Sequence, residues 1–176
     1  MDRQKPLKPI RNSEDALTFF DSLNPVDTDF MLGAWQGSGV ETDHPMDGLL
    51  ELANWHGKQF ESLEAVHPLV HVTLGGTKFT VQPAFMPLGL VLRYPGIKKV
   101  VTKRIFLLCK PLIQTRHPAA RLRMTEYRGV VSATMIYNRL PINDIFRQID
   151  AHSVLGAMDM KGMDHPFFFK LIRENS

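Results

Sequence analysis

The sequence predicts a small, mainly β protein: a single antiparallel barrel with an N-terminal helix and helical insertions. Three observations carry this. Five short β-rich runs follow one another between residues 119 and 173, each bounded by a turn signal. Regular spacing of that kind favours a sandwich or barrel over alternating strands and helices. Two more runs, Val70-His71-Val72-Thr73-Leu74 and Thr77-Lys78-Phe79-Thr80-Val81, flank Gly75-Gly76 as a hairpin does. Gly33-Ala34-Trp35-Gln36-Gly37 reads as a strand with glycines on one face, where a backbone or ring can approach closely.

At 176 residues and 44% apolar composition, the chain can bury one sizeable core and is short for two. It is read as one domain over 1–176, in four stretches: a helix at 13–23, the glycine-rich strand with a helix and hairpin at 29–83, an irregular basic insertion at 84–118, and a meander at 119–173. Cys109 has no second cysteine to pair with, and Met1 to Ile10 has no apolar stretch of the kind a leader peptide needs. Cytoplasmic localisation is the expectation.

Ser13-Glu14-Asp15 opens the first helix, with Ser13 as N-cap and the acids near the positive end of the helix dipole. Leu17 and Phe20 supply its buried side, and Asn24-Pro25 stops it. Asp43-His44-Pro45 starts a second helix, with Met46, Leu49, Leu50 and Ala53 as its apolar stripe and Gly57 as its stop. Within 84–118, Ile97, Val100, Val101, Ile105 and Leu108 fit a helical stripe, read as capping one end of the barrel. The meander strands fall at about 120–128, 130–138, 143–150, 153–161 and 166–173.

Charge is unevenly spread. Residues 93–128 hold ten of the 21 basic residues and one acid, Glu126, while the rest of the chain has 11 bases against 17 acids. The basic members are Arg93, Lys98, Lys99, Lys103, Arg104, Lys110, Arg116, Arg121, Arg123 and Arg128. Such a strip could meet an anionic ligand or a phospholipid surface, or be a solvated face. Nucleic acid ranks last, because the strip lacks interleaved aromatics.

Alternation along the meander proposes an interior. Leu122, Met124 and Glu126 share one face of the first strand. Val131, Ala133, Met135 and Tyr137 share one face of the second. Ile145, Arg147 and Ile149 share one face of the third, against Asp144, Phe146, Gln148 and Asp150. Glu126, Tyr137 and Arg147 are then the polar members of an otherwise greasy lumen. They are either a buried ion pair that helps fix the fold, or a polar floor for a ligand.

Gly33-Ala34-Trp35-Gln36-Gly37, Glu126-Tyr127-Arg128-Gly129 and Pro141-Ile142-Asn143-Asp144 together resemble the uncharacterised bacterial GXWXG-motif family, over about residues 30–173. The motif is similar, over a shorter span, to the Gly-x-Trp of calycin barrels: lipocalins, fatty-acid-binding proteins and nitrobindin-like haem proteins. That resemblance implies a calycin-like barrel in which Trp35 packs against a basic residue of the last strand, Arg173 or Lys170, in a structural role. It also implies, through the haem proteins, an iron ligand near that strand. His165 is the residue in place there, and the alternative is a turn histidine with no role.

Other chemistry finds no support in the spacing. His67 and His71 lie on a β-rich run, too far apart for one metal, and His44 and His56 have no carboxylate motif beside them. Cys109 sits in an apolar run and reads as a small core residue. Phosphate-cradling and dinucleotide motifs are missing. No metal or cofactor is expected. The favoured function is binding of a small apolar or amphiphilic, anionic ligand, with Arg147, Glu126, Tyr137, Met124 and Met135 around it. Alternatives are acid/base catalysis on a carboxylated substrate by Glu126, Tyr137 and Arg147, a haem barrel, or a protein adaptor using the basic strip.

Overall fold

A computed structural model describes residues 10–73, 75–85 and 110–174. Eight antiparallel strands close a barrel in the order β8-β7-β6-β4-β3-β2-β10-β9, with β9 returning to β8. They are β2 (Gly33–Gly39), β3 (Trp55–Phe60), β4 (Val66–Val72), β6 (Ala120–Tyr127), β7 (Val130–Tyr137), β8 (Ile142–Asp150), β9 (Ser153–Met160) and β10 (Phe167–Arg173). Two short strands lie off the ring: β1 (Asn24–Pro25) on β8, and β5 (Lys78–Thr80) on β4. The expected meander and hairpin are both present. The β6–β7 turn uses Arg128 and Gly129, both at positive φ (53° and 76°), which matches the right-handed twist of the strands it joins.

The helices differ more from expectation. Helix α1 (Ser13–Ser22) is capped by Asn12, one residue earlier than predicted, whose side chain accepts the Asp15 N–H at 2.9 Å. Helix α2 (Thr28–Met31) is a single turn capped by Asp27. The helix expected from residue 43 shrinks to one turn, α3 (Leu49–Leu52). Asp47 draws the N–H groups of Thr42 and His44 onto its carboxylate, and Gly48 lies at φ 79°, so residues 42–48 turn instead of coiling. The apolar stripe is still used: Met46, Leu49 and Ala53 are all buried. Gly57 ends no helix; it is an interior residue of β3. The apolar stripe at 97–108 and Cys109 lie outside the described residues, and α4 (Lys110–Ile113) follows them.

Two packed layers result. The lumen holds Trp35, Trp55, Phe60, Leu122, Met135, Phe146, Phe169 and Leu171. Outside the wall, α1 lays Ala16 and Phe20 onto Ile145, Leu155, Ala157 and Phe168. This explains why β10 is apolar on both faces: Phe167, Phe169 and Leu171 fill the barrel, and Phe168 lies under α1. Among the described residues no helix is long and apolar enough to cross a membrane.

Candidate functional site

The second layer decides which polar groups reach the lumen. On β8 the inward residues are Ile142, Asp144 and Phe146; Ile145, Arg147 and Ile149 face α1. The predicted face is therefore inverted. Ile145 and Ile149 are apolar because a helix covers the outside of the barrel, a cause that alternation alone does not reveal. Arg147 is buried outside the wall, with its guanidinium 5.3 Å over the Phe20 ring and Nη2 donating to the Tyr127 carbonyl at 3.3 Å. Glu126 is exposed and Met124 is 44% exposed, because β6 and β7 run past the barrel end, where Glu126 pairs with the exposed Val131. Met135 and Tyr137 are in the lumen as expected. Glu126, Tyr137 and Arg147 thus do not converge.

A different group converges in their place. Lys58 on β3 projects across the lumen to Asp144 on β8, Nζ to Oδ2 at 2.8 Å, with both side chains at most 3% exposed. The strands stand on opposite sides of the eight-stranded ring. Nζ also donates to the Pro68 carbonyl at 3.3 Å. It lies 4.8 Å from the ring centre of Phe169, 5.5 Å from Trp55 and 5.9 Å from Tyr137, a cation faced by three aromatic rings. The Tyr137 phenol lies beside the same carboxylate in the cavity lining. Burial penalises the charged form of each group. It pushes Asp144 above the usual carboxylate range, Lys58 below the usual amine range, and Tyr137 well above its ordinary value, while the Lys58–Asp144 attraction recovers part of the shift.

These groups line a cavity of about 50 Å³, walled mostly by Trp55, Met158, Phe167, Phe169, Met46 and Leu49. At roughly 10–15 Å³ per enclosed water, it has room for three or four waters or one small molecule. The half-buried Leu50 and Leu69 are lining residues that reach solvent. His71 completes the polar set. Its Nδ1 meets the Ala53 carbonyl at 2.8 Å, so the neutral ring carries its proton there.

Burial lowers the His71 pKa from 6.5 to about 4. A folded pKa below the unfolded one gives stability that is fully present above pH 6.5 and is lost as pH falls through 4. The expected loss over that window is roughly 3 kcal/mol. His71→Asn, whose amide N–H can replace the Nδ1 donor, should flatten this part of a pH–stability curve from urea denaturation. An unchanged slope would show that His71 is not the titrating group.

Neither Lys58 nor Asp144 was legible as a site residue. Asp144 needed the strand to begin at Ile142 rather than 143, which would have set Ile142 and Phe146 beside it. Lys58 is hidden by register shifts in β3 on both sides of Gly57, which put Trp55, Lys58 and Phe60 all inward and break the period of two.

Arg173, not Lys170, faces Trp35: its guanidinium lies 4.3 Å over the indole, whereas Lys170 pairs with Ser38. His165 is exposed in the β9–β10 turn. Among the described residues no group of three His, Cys, Asp or Glu side chains is placed to hold a metal ion. Arg93, Lys98, Lys99, Lys103 and Arg104 lie outside the described residues. Of the rest of the basic strip, Arg128 pairs with Asp21 and Arg123 with Glu64.

Residues 18–76 match the family described as GXWXG protein, and residues 118–173 match a domain of unknown function, DUF4334. A crystal structure of a protein from Thermomonospora curvata is 31% identical, with a TM-score of 0.68, and covers 92% of this chain and 87% of its own. The chain belongs to the GXWXG family. Among curated proteins no sequence matches it.

The barrel gives each defined position of the GXWXG motif a steric reason. Gly33 has φ 114°, a backbone conformation that residues with a Cβ rarely adopt. Trp35 is 1% exposed, donates Nε1–H to the Met31 carbonyl at 2.8 Å, and packs against Arg173 and Phe30. Gly37 lies under Trp55, where a Cβ would come within 2.1 Å of the indole ring. The motif therefore locks the barrel and seats a tryptophan, Trp55, that lines the cavity.

Proposed function

We propose that this GXWXG protein binds a small, predominantly apolar molecule with one hydrogen-bonding head group inside the barrel. The observation that carries the reading is the Lys58–Asp144–Tyr137 cluster on the wall of an apolar cavity. Such a site has the usual form of a small-molecule pocket: apolar lining with a few convergent polar groups. The ion pair carries no net charge, so a neutral carbonyl or hydroxyl head fits better than an anion. An anionic ligand would have fitted Arg147, which lies beyond the wall.

The test uses 1-butanol and butanoate as probes, followed by intrinsic tryptophan fluorescence and thermal melting. Trp55 lines the cavity and reports occupancy. Tiny ligands gain at most about 1.5 kcal/mol per heavy atom, a ceiling only the very best reach, and saturation in roughly the high-micromolar to millimolar range is expected. Butanol should bind saturably and butanoate should not. Replacing the pair together, Lys58→Met with Asp144→Leu, should weaken butanol about tenfold, the size of one hydrogen bond to a charged group. Butanol binding that is non-saturable, or unchanged in the double variant, overturns the reading.

A further inference from the structure

We propose that Lys58 is a carbonyl-trapping amine, which condenses with a small aldehyde or ketone in the barrel cavity to give an iminium ion held against Asp144. This rests on the binding reading above and assigns its ligand class.

Position is the first argument. Lysine side chains are almost never fully buried unless paired. Lys58 reaches across the whole lumen, and both it and its partner belong to the cavity lining. The nearest groups are an acid that can take its proton and three aromatic faces, one of them the Tyr137 phenol. An ion pair that only stitched the barrel would not need to border empty space.

Charge is the second argument. Moving a charge into an apolar interior is costly. Condensation here moves none, since the product iminium replaces the ammonium beside the same carboxylate, 2.8 Å away in the free protein. The rings that face the ammonium face the iminium equally. One N–H remains on the product nitrogen and serves Asp144; the longer bond to Pro68, at 3.3 Å, is given up.

The step balances without a further reactant. Nζ passes a proton to Asp144, and its lone pair attacks the carbonyl carbon while the C=O π pair moves to oxygen. Asp144 protonates that oxygen, takes a second proton from nitrogen, and returns it to the hydroxyl as the C–O bond breaks. Water leaves, C=N forms, and Asp144 is again a carboxylate. Burial favours the reactive amine form of Lys58.

The experiment exposes the native protein at neutral pH to butanal with cyanoborohydride, which reduces iminium to a stable alkylamine. Intact mass and peptide mapping then locate the label. The expected result is one butyl group, on Lys58, formed roughly tenfold or more faster than on the exposed Lys78, because the cavity holds the aldehyde beside the amine. Saturating 1-butanol should suppress this labelling, and Lys58→Arg, which keeps a cation for Asp144, should remove the fast phase. Labelling confined to surface lysines, or insensitive to butanol, overturns the proposal. If butanol binds saturably while butanal leaves Lys58 unmodified, the imine is excluded and the binding reading stands. If neither probe binds, both fall together.

Discussion

Replacing Lys58 alone by methionine is expected to cost about 3–5 kcal/mol, whereas replacing Lys58 by methionine and Asp144 by leucine together should be neutral or stabilising. The asymmetry follows from what is left behind. The single change strands a carboxylate that is 1% exposed in an apolar lumen; the double change leaves two apolar chains of similar volume. The single variant should also show a distinctive pH dependence. Burial already holds Asp144 above 3.8 with its partner present, and removing Lys58 takes away the attraction that opposes this shift. A folded pKa raised above the unfolded one gives stability that is present below 3.8 and lost as pH rises towards the folded value. Between the folded pKa of wild type and the higher one of the variant, the variant should lose about 1.4 kcal/mol per pH unit relative to wild type. Urea denaturation at several pH values measures both effects. A single variant within about 1 kcal/mol of wild type at neutral pH would mean that the carboxylate finds water, and that the lumen is not dry.

Trp35→Ala should destabilise by about 3–5 kcal/mol, the range for truncating a buried large aromatic. The loss is more than volume. The indole N–H holds the Met31 carbonyl, so truncation frees the end of α2 as well as opening a void. Arg173 is the other half of this lock. Its Nη1 donates to the Leu32 carbonyl at 2.8 Å, its Nη2 to the Phe30 carbonyl, and its guanidinium covers the indole. A lysine supplies the charge without the planar fork, so Arg173→Lys should still lose about 1–3 kcal/mol. Because the two side chains share one contact, the double variant should lose less than the two singles added together. Purely additive losses in a denaturation cycle would show that they act independently. Neither Trp35 nor Arg173 lines the cavity, so ligand binding should survive Arg173→Lys wherever the fold does.

The sequence by itself determined the wall of this protein. The strands between 119 and 173, the hairpin after Leu69, the first helix and the structural use of Trp35 were legible, because each depends on local signals. Those signals are period-two patterning, positive-φ turn residues, a capping side chain and a short motif. Face assignment held at Met135 and Tyr137, because Ser132 and Thr134 mark the other side of that strand as polar. It failed on β8, where both faces are buried. Inside and outside then look alike to a pattern that sees only apolarity, and α1, more than a hundred residues away in sequence, decides between them.

Tertiary structure alone decided the candidate site. Lys58 and Asp144 are 86 residues apart, on strands that meet only because the barrel closes. The irregular register of β3 around Gly57 turns Lys58 inward, against the alternation of its neighbours. At that glycine, a Cβ would lie 1.8 Å from the Trp35 carbonyl oxygen. A buried pair of opposite charges leaves no mark in composition or in local periodicity. Its stability comes from a desolvated contact across the lumen, and that contact exists only once the chain has folded around it.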